Sequence, residues 1–469
     1  MNRRLFLVSS IALLALAPPS LHAQKRAGVE LWLTNQDKSA LFRNQTPGSR
    51  FSARQTQHPT IEIDDKKTFQ SIDGFGFALT GGSAQHLNNM SPTRRAALLK
   101  EIFGTDGKNI GINYLRGSIG SSDLNDHVYS YDDLPNGQSD PEMAKFSLKE
   151  DHAYVIPVLK QILAINPSIR ILGSPWSAPP WMKTNNNAKG GSLKPEYYAA
   201  YAKYFVKFIQ GMKKEGIRID AITIQNEPLN DINTPSMVML APEEALFIKT
   251  SLGPAFKAAN IDTKIVLYDH NCDVPEYAMS ILADPEASKY VDGSGFHLYG
   301  GKIDAMTKVH DAYPNKNLYF TEYMAVESTD KPTISIADPV RGTLLAAIQN
   351  WSRNVLLWNL AANSKNEPHT DNGGCGICQG VVSIDGDKVT RNLAYYVMAH
   401  ASKFVRPGSI RIRSSSLPIL TNVAFKAPKG KTVLIVVNSD KSPQTFDIRD
   451  HAKSFTTTLN GGSVGTYVW

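Results

Sequence analysis

Ala221-Ile222-Thr223-Ile224-Gln225-Asn226-Glu227-Pro228 and Leu318-Tyr319-Phe320-Thr321-Glu322-Tyr323-Met324 are two apolar, β-branched or aromatic runs that each arrive at a glutamate. Such runs read as buried parallel strands. Pro228 closes the first, because proline has no N–H to give to a strand ladder. In a (β/α)8 barrel the chemistry stands at the C-terminal ends of the strands. Glu227 and Glu322 are therefore placed to converge on one barrel mouth. Retaining glycoside hydrolysis needs such a pair, one carboxyl as acid/base and one as nucleophile.

Working outward, apolar runs alternate with helix-like stretches from residue 72 to about 404. The runs cover 74–79, 113–119, 170–175, 221–225, 264–268, 293–298, 318–321 and 354–359, which makes eight. Between them lie amphipathic segments such as 195–215, where Tyr198, Tyr201, Ala202, Phe205 and Phe208 recur at three- and four-residue steps. Eight alternating units predict an α/β fold, a (β/α)8 TIM barrel over 72–406. The two glutamates fall on the fourth and seventh strands.

The flanks read differently. Alternating runs at 29–34 and 60–63, and others at 410–412, 423–425, 433–437 and 466–469, are separated by Gly, Pro, Asn and Ser turns. Neither flank makes a good sheet alone. The N-terminal strands (24–71) are expected to join the C-terminal ones (407–469) in an accessory all-β sandwich, with Trp32 and Trp469 in its core. Residues 1–23 stand apart: Arg3 and Arg4, an apolar run to Ala17, then a small residue, Ala23, before a cleavage point. This pattern predicts a signal peptide of the secretory class, with the Arg3-Arg4 pair suggesting the twin-arginine type, and hence a bacterial periplasmic or secreted protein. No later run is long enough to span a membrane.

Other strand ends supply supporting groups. Arg116 is placed to hold a carboxylate bidentately and keep a nucleophile ionised, and Tyr299 to donate to the same carboxylate. Asn226, just before Glu227, suits a sugar 2-hydroxyl. Trp176, Trp181 and Trp358 offer flat faces for sugar rings, and Trp176 and Trp358 equally suit core packing. Asn359 and Asp123 are placed to bind hydroxyls, although Asp123 equally suits a loop cap. His297, flanked by apolar residues, reads as a satisfied structural histidine.

At this point the sequence resembles glycoside hydrolase family 30, the group of glucosylceramidases and β-1,6-glucanases. The likeness lies in Ile72-Asp73-Gly74-Phe75-Gly76, Leu115-Arg116, Ser174-Pro175-Trp176-Ser177-Ala178-Pro179-Pro180-Trp181, Gln225-Asn226-Glu227-Pro228, His297-Leu298-Tyr299, Phe320-Thr321-Glu322-Tyr323 and Leu357-Trp358-Asn359. It implies a retaining mechanism with Glu227 as acid/base and Glu322 as nucleophile, and a sugar subsite lined by Arg116, Trp176, Asn226, Tyr299 and Trp358. It also implies a glucosylceramidase-like β-glucosidase, or else a β-1,6-glucanase or a β-glycosidase for fucose or xylose. One departure bears on the sugar. Family glucosylceramidases read Thr-Asp after the first strand, whereas here Thr80 is followed by Gly81.

Three cysteines are present. Cys375 and Cys378, spaced Cys-x-x-Cys in a Gly-rich loop, are candidates for a local disulfide or free thiols. A zinc site lacks two further ligands there, and a redox motif would open a helix. No metal and no cofactor is expected, because the strand ends carry no paired-His or multi-carboxylate cluster. The formal charge of +7 is spread along the chain, which speaks against nucleic-acid binding. The expected partner is a carbohydrate. A non-catalytic carbohydrate-binding barrel is the reading from another class, and the intact glutamate pair argues against it.

Overall fold

A computed structural model describes residues 28–45, 50–53 and 56–469; the signal segment falls outside them. Eight parallel strands close a barrel: β1 (Gly74–Leu79), β2 (Tyr114–Ser118), β3 (Arg170–Ser174), β4 (Ala221–Thr223), β5 (Lys264–Cys272), β6 (Val291–Gly301), β7 (Asn317–Glu322) and β8 (Ser352–Leu357). Closure is made by β8 against β1, in a register that pairs Asn354 with Gly74 and Leu357 with Phe77. The predicted α/β barrel is thus the fold.

The barrel interior explains where the site sits. Tyr114, Leu172, Ala221, Val266, Tyr319 and Leu356 form one buried apolar cluster drawn from six strands. Side chains alternate along a strand, so the next inward position lies two residues further on. Two residues on from Tyr114, Leu172, Ala221 and Tyr319 stand Arg116, Ser174, Thr223 and Thr321, which hydrogen-bond to one another's partners in a polar layer above the apolar one. Leu356 leads in the same way to Trp358.

The β domain is a nine-stranded sheet in the order Lys453–Leu459, Gln444–Asp450, Thr60–Ser71, Ile410–Ser414, Leu420–Lys426, Thr432–Asn438, Val464–Val468, Glu30–Thr34, Arg43–Asn44. The N-terminal strands do join the C-terminal ones: Thr60–Ser71 lies between two of them, and Glu30–Thr34 pairs with Val464–Val468. Strand Thr432–Asn438 is buried throughout because it serves two cores. Val433, Ile435 and Val437 belong to the barrel-side cluster, and Leu434 and Val436 to the domain's own.

Trp32 corrects the expectation of a place in the sandwich core. It packs on Phe42 and Phe404 at ring separations of 4.8 and 5.7 Å, in the barrel-side cluster at the seam between the domains. Trp469 lies partly buried at the edge of the sandwich core, beside Phe51. His400, on the helix Leu393–Ser402, reaches Thr34 and Thr466 at 2.9 Å each and ties both chain ends of the sheet to the barrel. A small three-stranded sheet of Ala361–Ala362, Val382–Asp385 and Lys388–Arg391 follows β8 and was not legible as strands. Among the described residues no helix is long and apolar enough to cross a membrane.

Candidate active site

Glu227 and Glu322 meet at the barrel mouth, with an oxygen of each and Nδ1 of His297 all within 4.8 Å of one another. They arrive by different local devices. β4 leaves its ladder at Thr223, and the chain then runs on with Asn226 N–H bonded to Pro175 O (2.8 Å) and Glu227 N–H to Asp269 O (3.0 Å). Glu227 takes φ +46°, a left-handed conformation that costs a non-glycine residue on the order of 1–2 kcal/mol. Glu322 ends β7, where the pairing to β6 slips by a residue between Phe320 and Glu322. That slip lets Thr321 and Glu322 both face the interior.

Arg116 Nη1 donates to Glu322 Oε2 at 2.5 Å, and Tyr299 OH donates to Oε1 at 3.0 Å. The guanidinium is not bidentate on Glu322, as the sequence suggested. Its other arm, Nη2, is divided among Asp269 (2.7 Å), Asn226 Oδ1 (2.7 Å) and Ser174 (3.1 Å). The guanidinium carbon also lies 4.9 Å from the Trp176 ring and 5.7 Å from the Trp358 ring, a cation–π contact in a dry setting. The two indoles stack on each other at 5.3 Å.

Asp269 escaped the sequence reading and is the centre of the layer. It is fully buried and accepts from Arg116, Ser174, Thr223 and Thr321, with His297 Nε2 at 3.1 Å. Alternation from Val266 would turn Tyr268 inward and Asp269 outward. Instead Tyr268 and Asp269 both take positive φ, +72° and +56°, and the pairing with β6 shifts there. This bulge re-aims Asp269 into the barrel. The only sequence signal was an acidic residue just past a strand end.

His297 also departs from expectation. It is fully buried, but it bridges functional groups: Nδ1 lies 3.0 Å from Glu227 Oε1 and 3.9 Å from Glu322 Oε1, and Nε2 faces Asp269. Burial disfavours its charged form, yet the three carboxylates outweigh burial and hold it up at about 9. Burial would raise Glu227, but the hydrogen bond and charge of His297 overcome this and hold it at about 2. Burial pushes Glu322 up, against the pull of His297 and Arg116. A resting proton on His297 thus leaves Glu227 ionised, the reverse of what an acid at 227 needs. A proton that reaches Glu227 from within the site has to cross the 3.0 Å contact from the imidazole.

The cavity above these groups has a volume of about 430 Å³ and is lined by Trp176, Asn226, Tyr299, Trp358, the two glutamates and Asp123, among others. Leu229 and Ile232, on the loop after Glu227, form an apolar part of its rim, and Asn230 Nδ2 holds Glu227 Oε2 at 2.7 Å. Cys375 and Cys378 are joined in a disulfide and also line the cavity.

Two expectations fail here. Asn359 is 2% exposed and its amide is engaged elsewhere, accepting from Thr80 and Ser83 and donating to Cys378 O, so it is a structural clamp and not a hydroxyl ligand. Trp181 is buried away from the cavity, donating to Asp132 O. A Cβ on Gly81 would fall 1.9 Å from Asn125 Nδ2, so a side chain at position 81 would require Asn125 to move. The trio Glu227, His297 and Glu322 is the one group of potential metal ligands among the described residues. Arg116 and Tyr299 already occupy both oxygens of Glu322, so a cation there would compete with a fixed positive charge.

A closed parallel barrel with two carboxylates bracketed by an arginine, a tyrosine and a histidine defines a sugar-hydrolase class of site. The chain belongs to glycosyl hydrolase family 30: residues 72–405 match the family's TIM-barrel domain and residues 408–467 its β-sandwich domain. It is 34% identical over 406 residues to an endo-1,6-β-D-glucanase of Aspergillus fumigatus, covering 81% of each chain. It is 31% identical over 437 residues to the lysosomal acid glucosylceramidase of Mus musculus, covering 87% of this chain and 83% of that one. Among solved structures, the endo-β-1,6-glucanase BT3312 superposes with a TM-score of 0.88 at 35% identity, over 94% of this chain and 99% of that one.

Proposed function

We propose that the chain is an exported retaining β-glucosidase that cleaves β-1,6-linked glucan, with Glu322 as nucleophile and Glu227 as acid/base. The observation that carries the reaction is that one oxygen of each carboxyl lies within 4.8 Å of the other. Retaining enzymes hold their pair about 5–5.5 Å apart, and inverting enzymes leave about 6.5–9.5 Å for a water.

The roles follow from which charge is fixed. Arg116 cannot give up its proton, so with Tyr299 it keeps Glu322 an ionised nucleophile. Glu227 faces a mobile proton on His297. In the first step Glu322 attacks the anomeric carbon as the bond to the leaving oxygen breaks, and the proton passes to that oxygen from Glu227, which draws on His297. In the second step Glu227 takes a proton from water, the oxygen attacks the anomeric carbon, and Glu322 departs as carboxylate.

The likeness to endo-1,6-β-glucanases supports the linkage. A second reading, a glucoside with an apolar aglycone such as glucosylceramide, is favoured by Leu229 and by Ile232, which is 70% exposed at the rim. A hydrolysis screen decides between them, comparing β-1,6-glucan, glucosylceramide and aryl β-glucoside, β-xyloside and β-fucoside. We expect release of β-configured oligosaccharides from the β-1,6-glucan. Turnover of glucosylceramide alone would select the second reading.

A further inference from the structure

Glu227 has a second histidine beside it, which the mechanism leaves unused. His270 follows Asp269 near the end of β5, where Asp269 O accepts from Glu227 N–H at 3.0 Å, so this strand end runs alongside the acid/base. The imidazole lines the cavity and is 8% exposed, with its ring centre 6.4 Å from that of His297. Its polar neighbours on this side of the cavity are engaged within the protein. Asn230 donates to Glu227 Oε2 (2.7 Å) and accepts from Ile232 N–H (2.9 Å), and Asn271 Oδ1 accepts from Tyr299 N–H (2.9 Å).

His270 has no such duty. Among the described residues neither ring nitrogen has a hydrogen-bond partner: Nδ1 is buried outright, and Nε2 is left to the cavity that the ring lines. Polar groups left unpaired at a buried site are rare and disfavoured, and at a binding cavity a ligand is the natural partner. Burial holds the imidazole below its ordinary value, against the charge of Glu227, so the ring is neutral at pH 7. A neutral ring carries one donor and one acceptor, and a hydroxyl group can meet either. The acid/base hands its proton to the leaving oxygen. A polar group open to the cavity beside Glu227 therefore flanks the departing sugar.

We infer that His270 is a specificity-determining residue that hydrogen-bonds a ring hydroxyl of the leaving sugar. The inference rests on the β-1,6-glucan reading above. In that substrate the leaving oxygen is O6, a primary alcohol oxygen that cannot depart without a proton. The glucose behind it keeps its ring hydroxyls free, with the 4-hydroxyl nearest the scissile bond. A hydrogen bond from His270 to such a hydroxyl holds O6 over Glu227 while the proton passes. It also favours a sugar as leaving group over an aglycone that has no hydroxyl to offer.

The test changes only the leaving group. kcat/KM is measured for wild type, His270→Ala and His270→Gln on gentiotriose and on phenyl β-gentiobioside. Both substrates present the same disaccharide to the glutamates, and both need a proton on the leaving oxygen, but one expels glucose and the other phenol. The ratio of kcat/KM on gentiotriose to that on phenyl β-gentiobioside should fall about ten- to a hundredfold in His270→Ala. It should fall less in His270→Gln, which keeps a donor and an acceptor. Because both rates come from one protein sample, the fraction of folded enzyme cancels from the ratio. A ratio unchanged in His270→Ala would overturn the inference and leave the glycosidase reading standing. A wild-type chain that cleaves phenyl β-gentiobioside but not gentiotriose would remove the β-1,6-glucan reading and the inference with it. Inactivity of the wild type on both would remove the glycosidase reading as well.

Discussion

Glu227 and Glu322 differ in their hydrogen-bond partners: an imidazole and an amide hold the first, a guanidinium and a phenol the second, and the proposed division into acid/base and nucleophile rests on that difference. Glu322→Ala should abolish turnover. Glu227→Ala should be slow with poor leaving groups and, with added azide, should yield a β-glycosyl azide, detectable by NMR; near-normal activity of Glu322→Ala would displace the nucleophile. The histidine makes a pH statement. Its folded value near 9 lies above its ordinary 6.5, so its ion pairs contribute fully to stability below about 6.5 and are lost as pH rises through about 9. The same deprotonation removes the proton that Glu227 would draw on in the proposed mechanism. kcat/KM should therefore fall on a basic limb near pH 9, and His297→Gln should move that limb to lower pH, because Glu227 would then titrate alone. A limb unmoved in His297→Gln would separate the imidazole from the acid.

At the scale of elements, the strand ends deliver polar groups at inward positions, and the loops beyond them shape the cavity. The loop carrying Cys375 and Cys378 lies directly on the Asp123 turn: a Cβ on Gly374 would stand 2.3 Å from Thr370 O and 3.0 Å from Asp123 O. The disulfide pins a cavity wall in place. Cys375→Ser with Cys378→Ser should raise KM several-fold while changing kcat less, since the wall shapes binding and leaves the glutamates, which belong to other strands, in register. An equal fall in kcat would mean that the loop supports the reacting groups themselves. The element boundaries that matter most were illegible in the sequence. Strand periodicity placed Arg116 and Trp358 correctly, but it could not find the bulge at Tyr268–Asp269, because nothing in that sequence forbids regular alternation and only pairing with β6 reveals the shift.

The molecule as a whole is a barrel and a sheet that share one apolar seam. Trp32 lies there with Phe42 and Phe404, under the Lys403 ammonium at 4.8 Å. Truncating a buried tryptophan costs about 3–5 kcal/mol. Trp32→Ala should lower the denaturation midpoint accordingly and shift barrel and sheet signals together in chemical unfolding; an unchanged midpoint would mean that the domains stand independently. What the sequence determined by itself was periodicity: eight alternating units, the N- and C-terminal strands of one sheet, and two glutamates at the ends of the fourth and seventh strands. What only the tertiary structure decided was which polar groups meet. Asp269 turns inward at a bulge, His297 joins Glu227 to Asp269, Asn359 is taken up by Thr80 and Ser83, and Asn125 fills the space beside Gly81. The reason is physical: strand and helix periods are local properties of the chain, whereas hydrogen-bond partners and filled space depend on segments far apart in sequence that only closure of the barrel brings together.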